Sequence, residues 1–379
     1  MRNFDNAATT FPKPSVVYDF MDSFYRSSVG SYGRGNGGVS AGKLIADTRE
    51  KLCELLHCTA KQVIFEPSAT IALNVIIQGL LKKQNVKTVY ISPFEHNAVT
   101  RVLHYFEEMG RITVCVLPFA KNGEAIGEIE KEFSQQKPDL VIISHASNVC
   151  GVVQSAKEIF DSAKKYGAIT LLDMAQTAGL VDFDCGSETV DFAVFAAHKT
   201  LYAPTGITGF VMKSDFDLPP VIFGGTGFES AKQDMPDDVP QRFEAGTMNI
   251  SGIAGLYAAV KWVSETGVNN LFEKESEHRQ RLLSLFEKYP FIRVVGNYEK
   301  KKYVGIVSVV IKNLPSDTAA SVFAERNIAV RSGLQCAPLA HKTLGTFPAG
   351  TIRFSTSYFT NDEDFAELEC ALDYIKDNL

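Results

Sequence analysis

The amino-acid sequence predicts an α/β protein whose sheet is mostly parallel and covered by helices on both faces. From Val63 to Met212, short β-branched or apolar runs alternate with longer amphipathic segments. This alternation is typical of parallel sheets, whose strands are buried on both faces and joined by crossover helices. The length of 379 residues adds a second domain, because a single hydrophobic core usually stops growing at about 250–300 residues.

The first part of the chain contains seven predicted strands and four predicted helices. The strands are Val63–Phe65, Thr88–Ser92, Ile112–Leu117, Leu140–Ser144, Ile169–Leu172, Phe192–Phe195 and Gly209–Met212. The helices are Thr70–Lys82, Ala98–Met109, Ile126–Gln136 and Ala156–Tyr166. Ligands of such sheets bind beyond the carboxyl ends of the strands, so we expect the functional side chains there.

The pattern changes after Gly246. Two long helices, Ile250–Glu265 and Leu271–Lys288, are followed by shorter segments and a final helix. These later segments are Val304–Ile311, Thr318–Glu325, Ile328–Arg331, Thr351–Ser355 and the helix Asp362–Lys376. We interpret this region as a smaller α+β domain that packs against the first, since no long linker separates them. The predicted division gives residues 16–250 to the large domain and residues 1–15 and 251–379 to the small one.

Composition and charge argue against several classes of function. A formal charge of −6 argues against nucleic acids and anionic membranes as partners. No apolar run reaches transmembrane length and Met1–Asp5 is not followed by a signal-peptide core, so we expect a cytoplasmic protein. Seven cysteines, an odd number without a Cys-x-x-Cys spacing, indicate neither a disulfide framework nor a zinc site.

Two neighbouring segments carry the residues that point most directly to chemistry. In Leu171–Gln176 an apolar run ends on Asp173, and in Phe195–Lys199 another ends on His198-Lys199. A lysine amine can bond covalently to the aldehyde of pyridoxal phosphate, and an aspartate can keep the pyridine nitrogen protonated so that the ring accepts electrons. The two segments therefore predict a pyridoxal phosphate enzyme.

A glycine-rich loop, Val29–Gly38, precedes the first predicted strand. Such a loop can approach a ligand closely, or it can be a simple surface connection. It does not support a dinucleotide-binding fingerprint, because no strand precedes Gly33-x-Gly35.

Seven short motifs occur in a characteristic order along the chain. They are Asp5-Asn6-Ala7-Ala8-Thr9-Thr10, Glu95-His96-Asn97-Ala98, Ser147-Asn148-Val149-Cys150-Gly151, Asp173-Met174-Ala175-Gln176, His198-Lys199, Arg242-Phe243-Glu244-Ala245-Gly246-Thr247 and Arg331-Ser332-Gly333-Leu334-Gln335-Cys336. The series resembles that of class V aminotransferases, and within them it is most similar to cysteine desulfurases of the Suf-type and selenocysteine lyase branch. The resemblance implies a fold-type I pyridoxal phosphate transferase with a seven-stranded, mostly parallel sheet and a smaller α+β C-terminal domain. It also implies a homodimer with active sites at the subunit interface.

The resemblance assigns cofactor roles to four side chains. Lys199 matches the lysine that binds the cofactor covalently, and Asp173 matches the partner of the pyridine nitrogen. Gln176 matches the residue that hydrogen-bonds the phenolic oxygen, and His96 matches the histidine that stacks on the ring and acts in acid/base steps. Without the resemblance, Asp173 could be an exposed strand-end carboxylate, Gln176 ordinary turn polarity and His96 a satisfied polar group.

The predicted phosphate site combines a helix start with two matched residues. Ser68-Ala69-Thr70 follows a strand and opens a helix, so backbone N–H groups and the Thr70 hydroxyl can hold an anion, although the hydroxyl could also be a simple cap. By resemblance His198 is a phosphate ligand, and Thr247 reaches the phosphate from the other subunit. Ala196 stands where relatives commonly carry a serine, so one hydroxyl ligand is missing.

The predicted substrate site contains Asn148, Arg353 and Cys336. By resemblance Asn148 and Arg353 both bind the α-carboxylate of the substrate, which a planar guanidinium suits well, and Asn148 also binds the cofactor. Arg353 could otherwise be a solvated strand arginine. Cys336 lies in a loop, where its thiolate can attack the sulfur of the substrate, although most cysteines are buried packing residues. Gln335 replaces the histidine usual before this cysteine.

These assignments imply a cysteine desulfurase that converts L-cysteine to L-alanine and leaves a persulfide on Cys336. A sulfur-acceptor protein would then take the sulfur, as in iron–sulfur cluster assembly. The alternatives are a selenocysteine lyase acting on L-selenocysteine, a class V aminotransferase or lyase in which Cys336 is incidental, and a non-catalytic scaffold on the same fold.

Overall fold

The computed structural model describes residues 1–27, 35–83, 85–120, 123–124, 126–229 and 231–378. Residues 29–34 of the glycine-rich loop therefore lie outside the described part of the chain. The strands are β1 (Arg2–Asn3), β2 (Gln62–Glu66), β3 (Thr88–Ile91), β4 (Thr113–Val116), β5 (Phe119–Ala120), β6 (Gly123–Glu124), β7 (Leu140–Ser144), β8 (Ile169–Asp173), β9 (Phe192–Phe195), β10 (Thr208–Met212), β11 (Ile292–Val295), β12 (Ile306–Ile311), β13 (Ile328–Ala329), β14 (Arg331–Gly333) and β15 (Thr351–Ser355). The helices are α1 (Ser15–Ser27), α2 (Gly35–Leu55), α3 (Ala69–Lys83), α4 (Asn97–Glu108), α5 (Ile126–Gln135), α6 (Ala156–Lys164), α7 (Ile250–Thr266), α8 (Val268–Glu287), α9 (Ser316–Glu325), α10 (Pro338–Thr343) and α11 (Asp362–Asn378).

The central sheet has seven strands in the order β2-β10-β9-β8-β7-β3-β4. Strand β10 is antiparallel to both of its neighbours, and the other neighbouring pairs are parallel. All seven predicted strands and the four predicted helices between them are confirmed, with ends that differ by at most two residues. The predicted α/β class with a mostly parallel seven-stranded sheet is therefore confirmed.

The sheet is buried because successive side chains of each strand point to opposite faces. In β7, Val141 and Ile143 join the apolar cluster on one face, whereas Leu140 and Ile142 join the cluster on the other. Helices α1, α2 and α7 contribute to the first cluster, and α3 and α4 to the second. This double burial explains why the strands appear in the sequence as continuous apolar runs.

A second sheet has the order β11-β12-β15-β14 and is antiparallel throughout. Its core includes residues of α8, α9 and α11, together with Phe4 from the start of the chain. The segment predicted as Ile328–Arg331 is divided, since β13 pairs with β1 whereas β14 pairs with β15. The domain division stays a prediction, and the apolar residues of α7 belong to the core of the larger sheet.

The sequence reasoning did not identify helices α1, α2 and α10 or strand β11. Helix α2 begins Gly-Asn-Gly-Gly and has another glycine at position 42, and glycine is a poor helix former. Its apolar residues Leu44, Ile45 and Leu52 pack in the same cluster as α7, so tertiary packing stabilises a helix that local propensity disfavours. No helix in the described part of the chain is long and apolar enough to cross a membrane.

Candidate active site

Four of the predicted site residues lie at the carboxyl ends of four adjacent strands of the central sheet. Asp173 is the last residue of β8, and Lys199 follows β9 in a tight turn closed by its own N–H, which donates to the Ala196 carbonyl at 3.1 Å. His96 follows β3 and Asn148 follows β7. Because these strands are parallel neighbours, their side chains meet at one edge of the sheet.

Lys199 and Asp173 form the electrostatic centre of this edge. Lys199 is half-buried, and desolvation of its amine lowers its pKa to about 8, while the nearby Asp173 carboxylate opposes the shift. Asp173 is buried; burial raises its pKa, and a hydrogen bond from the Ala175 N–H at 2.9 Å acts in the opposite direction. A lysine amine with a pKa this close to neutrality is a usable nucleophile and base.

His96 is held neutral at the start of α4. Its Nδ1 accepts a hydrogen bond from the Ala98 N–H at 3.1 Å, so the ring proton lies on Nε2. Desolvation, with the positive charges of Lys199 and Arg101, lowers its pKa to about 4. His96 therefore presents a neutral ring within electrostatic reach of Lys199.

A cavity of about 430 Å³ runs from His96 to Cys336 and along α3 and α4. It is lined by Thr70, Asn74, His96, Arg101 and Cys336, among others. Ser68 caps α3 by accepting from the Ile71 N–H at 3.3 Å, which leaves the exposed Thr70 hydroxyl on the cavity side. The structure thus brings the predicted phosphate-binding helix start and the predicted nucleophile to one cavity.

The loop of Cys336 has a conformation that ordinary residues seldom adopt. Gln335 and Cys336 both have positive φ angles, 40° and 55°. Gln335 is buried: its amide oxygen accepts from His341 Nε2 at 2.8 Å, and its amide nitrogen donates to the Thr351 carbonyl at 3.0 Å. These bonds hold the strained loop and leave the Cys336 thiol exposed.

Arg353 and Asn148 lie at the inner wall of the site. Arg353 is 3% exposed; it donates to the Asn148 carbonyl at 3.0 Å and forms an ion pair with Asp5 at 2.6 Å. The Asn148 amide donates to the Gln335 carbonyl at 2.7 Å. Arg353 Nε and Asn148 Oδ1 are buried and have no partner among the described residues. Buried polar atoms seldom stay unpaired, so these two atoms indicate where a polar ligand binds.

Residues near the start of the chain hold the turn that contains Lys199. The backbone carbonyl of His198 accepts hydrogen bonds from the Thr9 hydroxyl at 3.1 Å and from Lys13 Nζ at 2.7 Å. The carbonyl of Lys199 accepts from the Thr10 hydroxyl at 3.0 Å. The sequence predicted none of these contacts, because nothing in the spacing of Thr9, Thr10 and Lys13 indicates a partner so far along the chain.

Glu95 is a further site residue without a predicted role. It is fully buried beside Asp173, and burial raises its pKa to about 8. Its carboxyl group accepts from the Ser92 hydroxyl at 2.6 Å and from the Ser144 N–H at 2.5 Å. Glu95 therefore ties the end of β3 to the end of β7, the two strands that deliver His96 and Asn148.

Among the remaining predicted residues, Gln176 and His198 lie near Lys199, whereas Thr247 lies in a separate cavity. Gln176 is buried, and its amide donates to the Ala7 carbonyl at 3.0 Å. His198 Nδ1 is buried without a partner in the described chain, which suits a ligand atom. Ala196 is buried, and Thr247 lines a separate cavity with Glu66 and Phe243. A single subunit therefore does not bring Thr247 into the cavity that holds Cys336.

Comparison with known proteins agrees with this geometry. A family model described as aminotransferase class-V matches residues 2–368. The chain belongs to the class-V aminotransferase family. A probable cysteine desulfurase from Methanothermobacter thermautotrophicus is 29% identical over 98% of this chain and 94% of its own length, and one from Halalkalibacterium halodurans is 30% identical over 98% and 92%. The apo structure of a cysteine desulfurase from Thermococcus onnurineus NA1 has a TM-score of 0.91 at 25% identity, covering 100% of this chain and 95% of that one.

The predicted resemblance to class V aminotransferases is thus confirmed, as is the predicted fold. The polar groups at the site of this chain fit a cofactor that carries a phosphate group. The Lys199 amine lies beside the Asp173 carboxylate, and the unpaired His198 Nδ1 adjoins Lys199 in sequence. The start of α3 supplies backbone N–H groups for an anion. The individual residue roles stay predictions.

Proposed function

We propose that the protein is a pyridoxal phosphate-dependent cysteine desulfurase that forms L-alanine from L-cysteine and carries the sulfur as a persulfide on Cys336. The observation that carries this proposal is the exposed Cys336 thiol near the half-buried Lys199 and the buried Asp173. Cys336, Asp173 and Arg353 all act electrostatically on the Lys199 amine. The curated relatives named cysteine desulfurase match nearly the whole chain, which supports the same reaction.

The chain offers groups that could hold each part of the cofactor. Lys199 would hold it covalently and Asp173 would bind its pyridine nitrogen, with His198 and Thr70 at its phosphate. When bound, pyridoxal phosphate supplies an electron sink that weakens the bonds at Cα and Cβ of an amino acid. In a homodimer, Thr247 of each subunit would complete the phosphate site of the other, which is consistent with its separate position in one chain.

The substrate would be oriented by its carboxylate. Arg353 and Asn148 each retain an unpaired buried atom at the inner wall, and a carboxylate oxygen can accept from the free Arg353 Nε–H. The lowered pKa of Lys199 leaves an appreciable fraction of neutral amine at pH 8, which can take the Cα proton. His96 is neutral and carries its ring proton on Nε2, so it can donate a hydrogen bond from that atom to the substrate or cofactor.

Sulfur transfer is assigned to Cys336. Its thiolate attacks the sulfur of the substrate, so that a sulfur–sulfur bond forms while the Cβ–sulfur bond breaks. The electron pair of the broken bond stays with the three-carbon product, which takes up a proton and leaves as alanine. The persulfide then passes to a sulfur-acceptor protein, as iron–sulfur cluster assembly requires.

The test compares two exposed cysteines. The holoenzyme is incubated with L-cysteine, alanine is quantified, and Cys336 is analysed by mass spectrometry for an added sulfur atom. We expect Cys336→Ser to lose persulfide and catalytic turnover while the absorbance of the bound cofactor stays. The control Cys370→Ser, on α11, keeps both. Full turnover by Cys336→Ser would overturn the proposed mechanism, and faster turnover of L-selenocysteine would favour the lyase alternative.

A further inference from the structure

A second pocket lies on the small-sheet side of the molecule, between α8 and the segment that joins β11 to β12. It has a volume of about 400 Å³ and is lined by Ser276, Arg279, Gln280, Asn297, Lys300 and Lys302, together with aromatic and aliphatic side chains. We propose that this Arg279 pocket binds a small organic phosphate. None of its lining residues belongs to the candidate active site.

Arg279 is the observation that points to a ligand. The residue is only 6% exposed, although it carries a charged guanidinium. Its terminal nitrogen donates to Asn297 Oδ1 at 2.8 Å, and the guanidinium carbon lies 3.8 Å from the ring centre of Tyr303. Nε is buried and has no partner among the described residues, and no carboxylate in that part of the chain pairs with the group. A buried cation without an anion is costly, so an anionic ligand would complete this site.

The rim of the pocket favours phosphate over a simple carboxylate. Lys300 and Lys302 are exposed lysines on the wall opposite α8, and no aspartate or glutamate lines the pocket. Two lysines and an arginine therefore converge on one opening, which matches the charge of a phosphate group better than a single negative charge. The Ser276 hydroxyl and the Gln280 amide add neutral hydrogen-bond donors.

The inner surface of the pocket favours an organic ligand over the bare ion. Phe272, Leu283 and Tyr298 contribute apolar and aromatic surface next to the polar groups. The volume exceeds what one phosphate ion fills and lies in the range of pockets for small organic molecules. A phosphate ester therefore fits both the charged and the apolar lining of the pocket. Its phosphate would lie at Arg279 and the two lysines, and its organic group would lie against the aromatic side chains.

Calorimetric titration of the holoenzyme provides the test, because the cofactor then fills the catalytic phosphate site. The probes are inorganic phosphate, inorganic pyrophosphate and adenosine monophosphate, with sodium sulfate at equal ionic strength as the competing simple anion. We expect saturable binding of one adenosine monophosphate per chain, tighter than phosphate or sulfate, with unchanged cofactor absorbance. Equal weak binding of all four probes, or displacement of the cofactor, would overturn the proposal.

Variants locate the binding site. Arg279→Gln should weaken binding at least about tenfold, because it removes a charged hydrogen-bond donor. If this buried substitution prevents folding, the double variant Lys300→Ser/Lys302→Ser, which changes two exposed lysines, is tested in its place. We expect it to weaken binding by a similar factor. The matched control Lys312→Ser changes an exposed lysine outside the pocket and should bind as the wild type does. An equal loss in this control, or none in a folded pocket variant, contradicts the assignment.

Discussion

Replacing Gln335 by leucine tests how the loop of the nucleophile is held. The side chain has almost the same volume, so the change removes hydrogen bonds without opening a large cavity. Gln335 Oε1 accepts from His341 Nε2 at 2.8 Å and from the Thr351 hydroxyl at 3.2 Å, and all three residues are buried. Leucine leaves both of these donors unpaired.

The expected loss of stability follows from those two donors. Each buried donor without a partner costs about 1–3 kcal/mol, so Gln335→Leu should lower the free energy of unfolding by roughly 2–6 kcal/mol. The positive φ angles at Gln335 and Cys336 each store about 1–3 kcal/mol of strain, which the hydrogen bonds offset. Without them the loop relaxes and the thiol leaves its position, so persulfide formation should fall at least about tenfold.

Two measurements separate the effects. Urea denaturation of the holoenzyme gives the change in stability, and mass spectrometry after brief exposure to L-cysteine gives the rate of persulfide formation. Gln135→Leu, at the exposed end of α5, is the control and should change stability by less than about 0.5 kcal/mol. Unchanged stability and an unchanged persulfide rate in Gln335→Leu would refute the reasoning.

Three further predictions concern charge. Because burial lowers the pKa of Lys199 to about 8 from an ordinary 10.5, attachment of pyridoxal phosphate to the apoprotein should accelerate with pH around a midpoint near 8; a rate unchanged from pH 7 to about 9 would contradict this. Glu275 has a pKa raised to about 8 by burial, so the native state holds a proton that the unfolded chain releases above pH 4.5. In urea denaturation, the free energy of unfolding of Glu275→Gln should therefore increase relative to that of the wild type by up to about 1.4 kcal/mol per pH unit between pH 4.5 and 8. A difference between the two free energies that does not change with pH would contradict this prediction. Glu244→Gln leaves the half-buried Arg49 without its carboxylate and should cost about 3–5 kcal/mol in the same assay; a loss below about 1 kcal/mol would show that the pair is effectively solvent-screened.

Much of the large sheet could be predicted because its strands are buried on both faces. Leu140–Ser144 and Phe192–Phe195 match the predicted ends, since burial on both faces demands a continuous apolar run. The positions of Asp173 and Lys199 followed from the same signal, as polar residues directly after such runs. Helix α2 could not be predicted in this way, because its glycines conceal a helix that is stabilised by packing against α7.

The supporting residues of the site could not be predicted, because they depend on contacts distant in the sequence. The ion pair of Arg353 with Asp5 joins strand β15 to the start of the chain, and no local pattern encodes it. Nothing in the sequence around Gln335 indicates its partners, and only the structure reveals them as His341 and Thr351. Polar residues in loops lack the periodicity that marks a strand or helix.

The pairing of β1 with β13 has a consequence for the order in which the molecule assembles. During synthesis Arg2–Asn3 is made early, but its partner strand does not exist until residue 329 has been added. Asp5 likewise waits for Arg353. A nascent chain can therefore complete the large sheet while Arg2, Asn3 and Asp5 still lack the partners that they pair with in the folded protein.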